Sequence, residues 1–356
     1  MKNALFALGL TLTALTANAQ TEVANYQPGV TLDGVNYLLP RTVFRVTVVA
    51  EKTVVTPGEM YKYADRYLRL SNVPTGTSTT WKIKSISLEP YGVPDKTKAF
   101  NIKLKSKTTA PLVSLTHDGL LLSINTEAQE AFLPALPAAV PAPQLKNPRD
   151  FMNQEMLTAG STAKVAELCA QEIYDIRESR SALIRGEADN TPNDGAQLQL
   201  MLQQLDEQAA ALESLFKGTS QTSTEVFALT FDPTKEVKDQ VLFRFSEKLG
   251  MLDSDDMAGE PIYISVQNQE VLPKATNDEA TDKKKAKMQE KGVFYNVPAR
   301  EKLSIYNNDR TFVSLETPVA QFGYTEILSD ALFNPKNANT KVTFYQETGA
   351  TKKIEQ

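Results

Sequence analysis

The run TVFRVTVVA, residues 42–50, alternates strictly: Phe44, Val46 and Val48 fall on one side, Arg45 and Thr47 on the other. A period of two carries no helical stripe. It requires a sheet with one face on a core and the other toward water. KAFNIKLKS repeats the pattern, setting Phe100, Ile102 and Leu104 against Asn101, Lys103 and Lys105. From Tyr37 to Asn125 the chain is therefore expected to form strands. THDG, Thr116 to Gly119, separates two apolar runs as a hairpin turn, with Gly119 supplying positive φ. PGEMYKYADRYLRL interrupts the strands as a short helix entered through Pro57-Gly58.

The strand pattern stops at FLPALPAAVPAPQLKNP, whose prolines forbid a regular helix or inner strand and predict an extended connector. A helical unit follows. Ser161 or Thr162 caps a run in which Ala166, Cys169, Ile173, Ile176, Arg180 and Leu183 step by three and four. After the loop GEADNTPNDG, Asn193 or Asp194 caps a second run with the seam Leu198, Leu202, Leu205, Ala209, Leu212 and Phe216. Two apolar stripes joined by a short polar loop predict an antiparallel helical hairpin. Lys217-Gly218 ends it, a cation and a glycine where a helix C-terminus favours both. Beyond Thr219 the strand signal returns in TEVFALTF, QVLFRFSEK, PIYISV, KLSIYN and KVTFYQ.

The expected fold is mainly β with a central α-helical hairpin, an α+β chain in which two β-sandwich-like regions flank an antiparallel helix pair. The expected division is a signal peptide over 1–19, an N-terminal β domain over 20–126, and a Pro/Ala-rich linker over 127–147. The hairpin then covers 148–218, and a C-terminal β domain covers 219–356. Within the last, 273–292 mixes charges and has hardly any large apolar residue, which predicts a disordered loop. Its lysines, Lys283 to Lys287, read as a solvated linker or as a polyanion site. No internal repeat is evident.

The N-terminus, MKNALFALGLTLTALTANAQ, has a positive start at Lys2, an apolar run from Ala4 to Leu15, and a small-x-small cleavage site at Ala17-Asn18-Ala19. It predicts export with Gln20 as the first mature residue. No cysteine follows the cleavage site to carry a lipid, and no later stretch is long enough to span a membrane as a helix. An exported chain with one cysteine, Cys169, has no internal disulfide, so packed cores must hold it together. The pI of about 5.3 and net charge of −5 argue against nucleic acid as a partner.

Catalytic chemistry is sparse. His117 is the sole histidine and falls in the THDG turn, where a solvent-facing role is expected; Ser-His-Asp or Cys-His catalysis would have to use it. Cys169 lies in the helical seam and reads as a buried structural thiol. No phosphate-cradling glycine motif occurs. The acids of LDSDDMAGE, Asp253, Asp255, Asp256 and Glu260, are a turn or a calcium loop without EF-hand spacing. No catalytic residue, metal ligand or cofactor is expected. Tyr61, Tyr63 and Tyr67 form either a sugar-stacking platform or, at i and i+4 for Tyr63 and Tyr67, packing against the sheet. Arg177, Arg180 and Arg185 are candidate partner or interdomain contacts. Arg180 stands in the apolar seam, and three readings remain open. It extends its head to water, it clamps the hairpin to a β domain, or it contacts another molecule.

YLLPRTVFRVTV, PGEMYKYADRYLRL, WKIKSISLEPYGVPDKTKAF, AQEIYDIRESRSALIRGEAD with DGAQLQLMLQQLDEQ, then FYNVPAR, VAQFGYTEIL and VTFYQETGA, taken in order, resemble an exported family of Bacteroides-type bacteria catalogued as domain of unknown function 4831. The resemblance covers nearly all of the chain. It implies residence in the envelope or outside a Gram-negative anaerobe, and it implies no activity and no catalytic residues. The expected function is a non-enzymatic periplasmic or outer-membrane-associated binding or assembly protein with an envelope protein partner. The alternative is a sugar-binding or cell-wall-active protein using paired carboxylates.

Overall fold

The computed structural model describes residues 22–25, 34–103, 112–189, 192, 194–269, 292–329, 332 and 340–355. The signal peptide, Asn193 and nearly all of the 273–292 loop lie outside these residues. Gly292, at the end of that loop, begins a strand. The described chain is mainly β, with antiparallel sheets and few helices.

The alternating run at 42–50 is the middle of a much longer strand. β2, Val35–Thr56, pairs with β3, Ser78–Lys103, and the expected short helix, α1 at Ala64–Leu68, sits in the connection between them. β1, Glu22–Asn25, flanks β3. The other side of β2 is taken by β6, Thr219–Phe231, from beyond the helical unit: Phe44 pairs with Phe231 and Thr56 with Thr219. One sheet, in the order β1-β3-β2-β6, thus draws strands from both β regions.

The second sheet runs β11-β10-β9-β7-β8: Thr311–Ser329, Gly292–Tyr306, Glu260–Asn268, Val237–Ser246 and Gly250–Leu252. The third runs β13-β12-β5-β4: Thr351–Glu355, Lys341–Phe344, Leu121–Ile124 and Val113–Leu115. Thr116 to Gly119 forms the expected turn between β4 and β5, with Gly119 at φ +92°. The main core joins Phe44, Val46 and Val48 of the first sheet to Phe243, Ile264, Leu303 and Ile305 of the second. A second core brings all three sheets together around Tyr37, Phe100, Ile124, Val293 and Val342.

The β2–β3 and β10–β11 hairpins break in the same way. Pairing jumps from Leu38–Ala99 to Pro40–Pro94, leaving Leu39 opposite a loop of Asp95, Lys96, Thr97 and Lys98. It jumps again from Val297–Tyr324 to Ala299–Val319, leaving Pro298 opposite Ala320, Gln321, Phe322 and Gly323. Proline has no N–H for the ladder, so a strand carrying one is pushed to a bulge. At Gly323 a Cβ would lie 1.8 Å from the Val297 carbonyl oxygen, so only glycine fits this close approach. A repeated device is therefore present that the sequence pattern did not reveal.

The two breaks lock onto each other through buried polar groups. Asn296 Nδ2 donates to the carbonyls of Pro40 and Thr348, each at 2.9 Å, and its Oδ1 accepts from Lys98 Nζ at 3.2 Å. The Thr42 N–H donates to Gln321 Oε1 at 2.9 Å, and Gln321 Nε2 returns a bond to the Thr42 carbonyl at 2.8 Å. Thr42 Oγ1 accepts the Ala320 N–H at 3.0 Å and donates to the Glu347 carbonyl at 2.9 Å.

The Pro/Ala-rich connector forms no helix or strand and lies against the first sheet. The Thr224 N–H of β6 donates to the Val140 carbonyl at 2.8 Å, Gln221 Nε2 donates to the Pro143 carbonyl at 2.9 Å, and Arg45 donates to the Pro134 carbonyl at 2.7 Å. β6 is an edge strand, and a proline-rich cover blunts an edge without extending the sheet.

Among the described residues, the buried side-chain polar atoms without a hydrogen-bond partner are the two carboxylate oxygens of Glu301. Glu301 is fully buried, opposite Thr317 and Asn268. Burial, with a smaller contribution from Glu236, pushes its pKa up to about 7.

Two outcomes follow from this interior. Asn296→Ala removes the donor that satisfies two buried carbonyls and is expected to lower stability by roughly 2–4 kcal/mol, read from urea midpoints. The folded chain keeps the Glu301 proton to about pH 7, whereas an unfolded one releases it near 4.5. The folded state thus binds more protons in that window, and stability falls as pH rises through it. Glu301→Met is expected to be more stable than wild type by roughly 1–3 kcal/mol at pH 8, with a smaller difference at pH 5. Equal gains at both pH values would refute the charge assignment.

Candidate functional site

The helical unit contains α3, Thr162–Arg185, and α4, Gly195–Lys217. Ser161 Oγ accepts the Lys164 N–H, and Asp194 Oδ1 accepts the Ala196 N–H, so each helix begins at one of its expected caps. Ala166, Cys169, Ile173 and Ile176 of α3 pack on Leu212, Leu215 and Phe216 of α4. Met60, Ala64 and Leu68 before and within α1, and Met156 of the short helix α2, Gln154–Thr158, complete this core. Cys169 is buried there, and burial pushes its thiol up to about 11, which makes it a packing residue.

All three candidate arginines pair with acids in or beside the hairpin. Arg177 reaches Glu213 at 2.8 Å, and Arg180 grips Asp206 with Nε–Oδ1 at 2.6 Å and a second bond at 3.3 Å. Arg185 pairs with Glu187 at 2.7 Å. The pairings 177–213 and 180–206 run in opposite directions, so the helices are antiparallel. Burial raises the Glu213 pKa, but Lys217 and Arg177 outweigh it and hold the carboxylate below its usual range. Arg180 is therefore partly exposed and tied across the hairpin to Asp206. These ion pairs involve no β sheet.

The tyrosines are divided. Tyr63 and Tyr67 pack against the helical core with ring centroids 6.2 Å apart, and the Tyr67 carbonyl accepts from Tyr174 Oη at 2.9 Å. Tyr61 stands outside that core with Lys62 Nζ 5.9 Å from its ring.

Beyond Ile176 and Leu205 the hairpin leaves the helical core. In this outer half Leu183 is the buried apolar residue of α3, whereas Ile184, Leu200 and Met201 are 57, 58 and 40% exposed. Leu205 to Gly195 is roughly 15 Å of helix at about 1.5 Å per residue.

A second assembly was not legible in the sequence. The β4–β5 turn, residues 89–93 of β3, the connector at 130–134 and the segment after β12 enclose an open groove of about 540 Å³. His117 is exposed, as expected of a turn, yet it is held. Its Nδ1 lies 2.6 Å from Glu130 Oε1, and its N–H donates to Glu130 Oε2 at 3.0 Å. The hydrogen bond and charge of Glu130 raise the His117 pKa. Asp118 accepts from Thr116 Oγ1, whose oxygen also accepts the Leu120 N–H at 2.8 Å. Gln346 Oε1 accepts the Ala131 N–H at 2.8 Å, and Arg45 ties down Glu89 and Pro134. Nothing periodic marks Glu130 as the partner of His117, so only the fold brings them together.

A third feature is a groove of about 610 Å³ that includes Trp81, Glu247, Glu260, Asp309 and Arg310. Trp81 is not a bare platform: its ring lies against Gly250, and Lys52 Nζ approaches its centroid at 5.0 Å. Among the acids of 252–260, Asp256 closes its turn by accepting the Ala258 N–H at 2.9 Å.

A family model described as Domain of unknown function (DUF4831) matches residues 33–352. No curated protein and no solved structure matches the chain. The match takes in strands of all three sheets together with the helical unit, and the chain belongs to the DUF4831 family.

Proposed function

We propose that the protein is an exported, non-enzymatic binding or assembly protein of the bacterial cell envelope, and that the outer half of its helical hairpin contacts a protein partner. The observation carrying this reading is the exposure of Ile184, Leu200 and Met201 where the helices leave their core. Exposed apolar side chains on the same outer half of the hairpin as the Arg180–Asp206 and Arg185–Glu187 ion pairs supply both the apolar and the polar groups of a contact surface. The N-terminal leader supports export, and no helix among the described residues is long and apolar enough to cross a membrane. The sheets, two of which combine strands from before and after the hairpin, would act as its rigid mount.

The test is native co-purification of the C-terminally tagged protein from periplasmic and outer-membrane fractions after gentle cross-linking. A stoichiometric envelope partner is expected. Ile184→Asp combined with Leu200→Asp is expected to reduce its recovery at least tenfold with only a small change in the urea midpoint, because both side chains are more than half exposed. Recovery of the partner at wild-type levels would remove the hairpin from the interface, and absence of any partner would remove the binding reading.

A second reading, a carbohydrate-binding or cell-wall-active protein, is supported by the groove that places Glu247, Glu260 and Asp309 beside Trp81. It predicts saturable binding of peptidoglycan oligosaccharides that Trp81→Ala weakens at least tenfold. Wild-type protein that binds no glycan at millimolar concentration would end it.

A further inference from the structure

We propose that His117, Asp118 and Glu130 form a binding site for a divalent transition-metal ion at the mouth of the 540 Å³ groove. This goes beyond the hairpin reading and does not depend on it. Each residue presents one ligand atom, and these atoms lie within 4.8 Å of one another. Among the described residues this is the group of histidine, cysteine and acid side chains that meets such a criterion.

Two of the donors, Asp118 and Glu130, are held in place. Glu130 is fixed by both the ring and the N–H of His117, and its side chain is only 17% exposed. The same segment is anchored one residue later, where the Ala131 N–H meets Gln346. Asp118 is held by Thr116, within a turn that Gly119 closes at φ +92° and the Gly119 N–H to Thr116 carbonyl bond fastens at 3.1 Å. Glu130, held also by the His117 N–H, and Asp118 lose little freedom on binding, and the His117 ring is the donor that moves.

The donor set selects the ion. One imidazole nitrogen with two carboxylates suits Zn²⁺ and its first-row neighbours, whereas Ca²⁺ and Mg²⁺ prefer oxygen throughout. Two carboxylates balance the charge of a divalent ion. His117 Nδ1 and Glu130 Oε1, now 2.6 Å apart, need to part to about 3.3 Å to span two tetrahedral bonds of ~2.0–2.1 Å. The exposed His117 ring, 76% open, can make that movement by rotating its side chain. Three protein donors leave a position facing the groove, the arrangement of an open site and not of a closed structural one. The rim adds Glu347, and Glu89 is already neutralised by Arg45.

Because the chain has one histidine, its ring gives a single set of ¹H–¹³C signals. The experiment titrates ZnCl₂ into the untagged full chain, following those signals and the heat released. The expected result is a saturable shift complete at one equivalent, with His117→Gln and Glu130→Gln each weakening the heat-detected affinity at least tenfold at unchanged circular dichroism. A ring signal unmoved by a tenfold excess of Zn²⁺ would overturn the proposal. So would undiminished binding by folded His117→Gln, which would place the ion elsewhere. The wild-type titration decides the matter even if a variant fails to fold.

Discussion

The junction of Asn296, Thr42 and Gln321 holds the three sheets in register. Each hairpin break exposes backbone groups that a ladder would have paired, and in the interior such groups cannot be left open. The breaks solve this for one another. Gln321, looped out of β11, pairs with the backbone of Thr42 in β2, while Asn296 in β10 satisfies Pro40 of β2 and Thr348 of the β12–β13 turn. Strands more than 250 residues apart are thereby tied by bonds whose loss on separation would strand buried donors and acceptors. Apolar packing alone tolerates sliding; these directional bonds do not.

The same junction places the His117 groove. Thr42 donates to the Glu347 carbonyl, and the neighbouring Gln346 holds the connector at Ala131, one residue from Glu130. The connector then continues along the sheet edge and reaches Thr224 of β6 through Val140. A Pro/Ala-rich stretch without secondary structure is thus anchored by its carbonyl and amide groups to four residues, Gln346, Arg45, Thr224 and Gln221. Its prolines keep it from extending the sheet, and it runs from the groove to the helical unit.

The hairpin stands in a different regime. Its inner half is held by a core that includes Met60, Ala64, Leu68 and Met156, whereas its outer half relies on the partner helix and on exposed ion pairs. Exposed pairs contribute little, about 0–1 kcal/mol each. The outer half is therefore the part of the described helical unit with the least tertiary support and the most exposed apolar surface, a combination suited to contact with another molecule.

Sequence by itself determined the local structure. The strand pattern marked β2, β3, β6, β7, β9, β10 and β12, although not the full length of β2, β3 and β10. Steps of three and four marked α3 and α4, Ser161 and Asp194 marked their starts, and THDG marked its turn, because each signal depends on neighbours a few residues away. β11 was missed: Pro318 and Gly323 interrupt its pattern, and the bulge that accommodates them depends on β10. The pairing of β2 with β6, the Asn296 junction, the burial of Glu301 and the meeting of His117 with Glu130 were decided only by the tertiary structure. The physical reason is common to all four. A single polar residue has no period, and which partner it meets depends on which sheet edges and faces come together over hundreds of residues. Arg180 shows the boundary: its seam position was legible from spacing, while Asp206 as its partner required the register of the two helices.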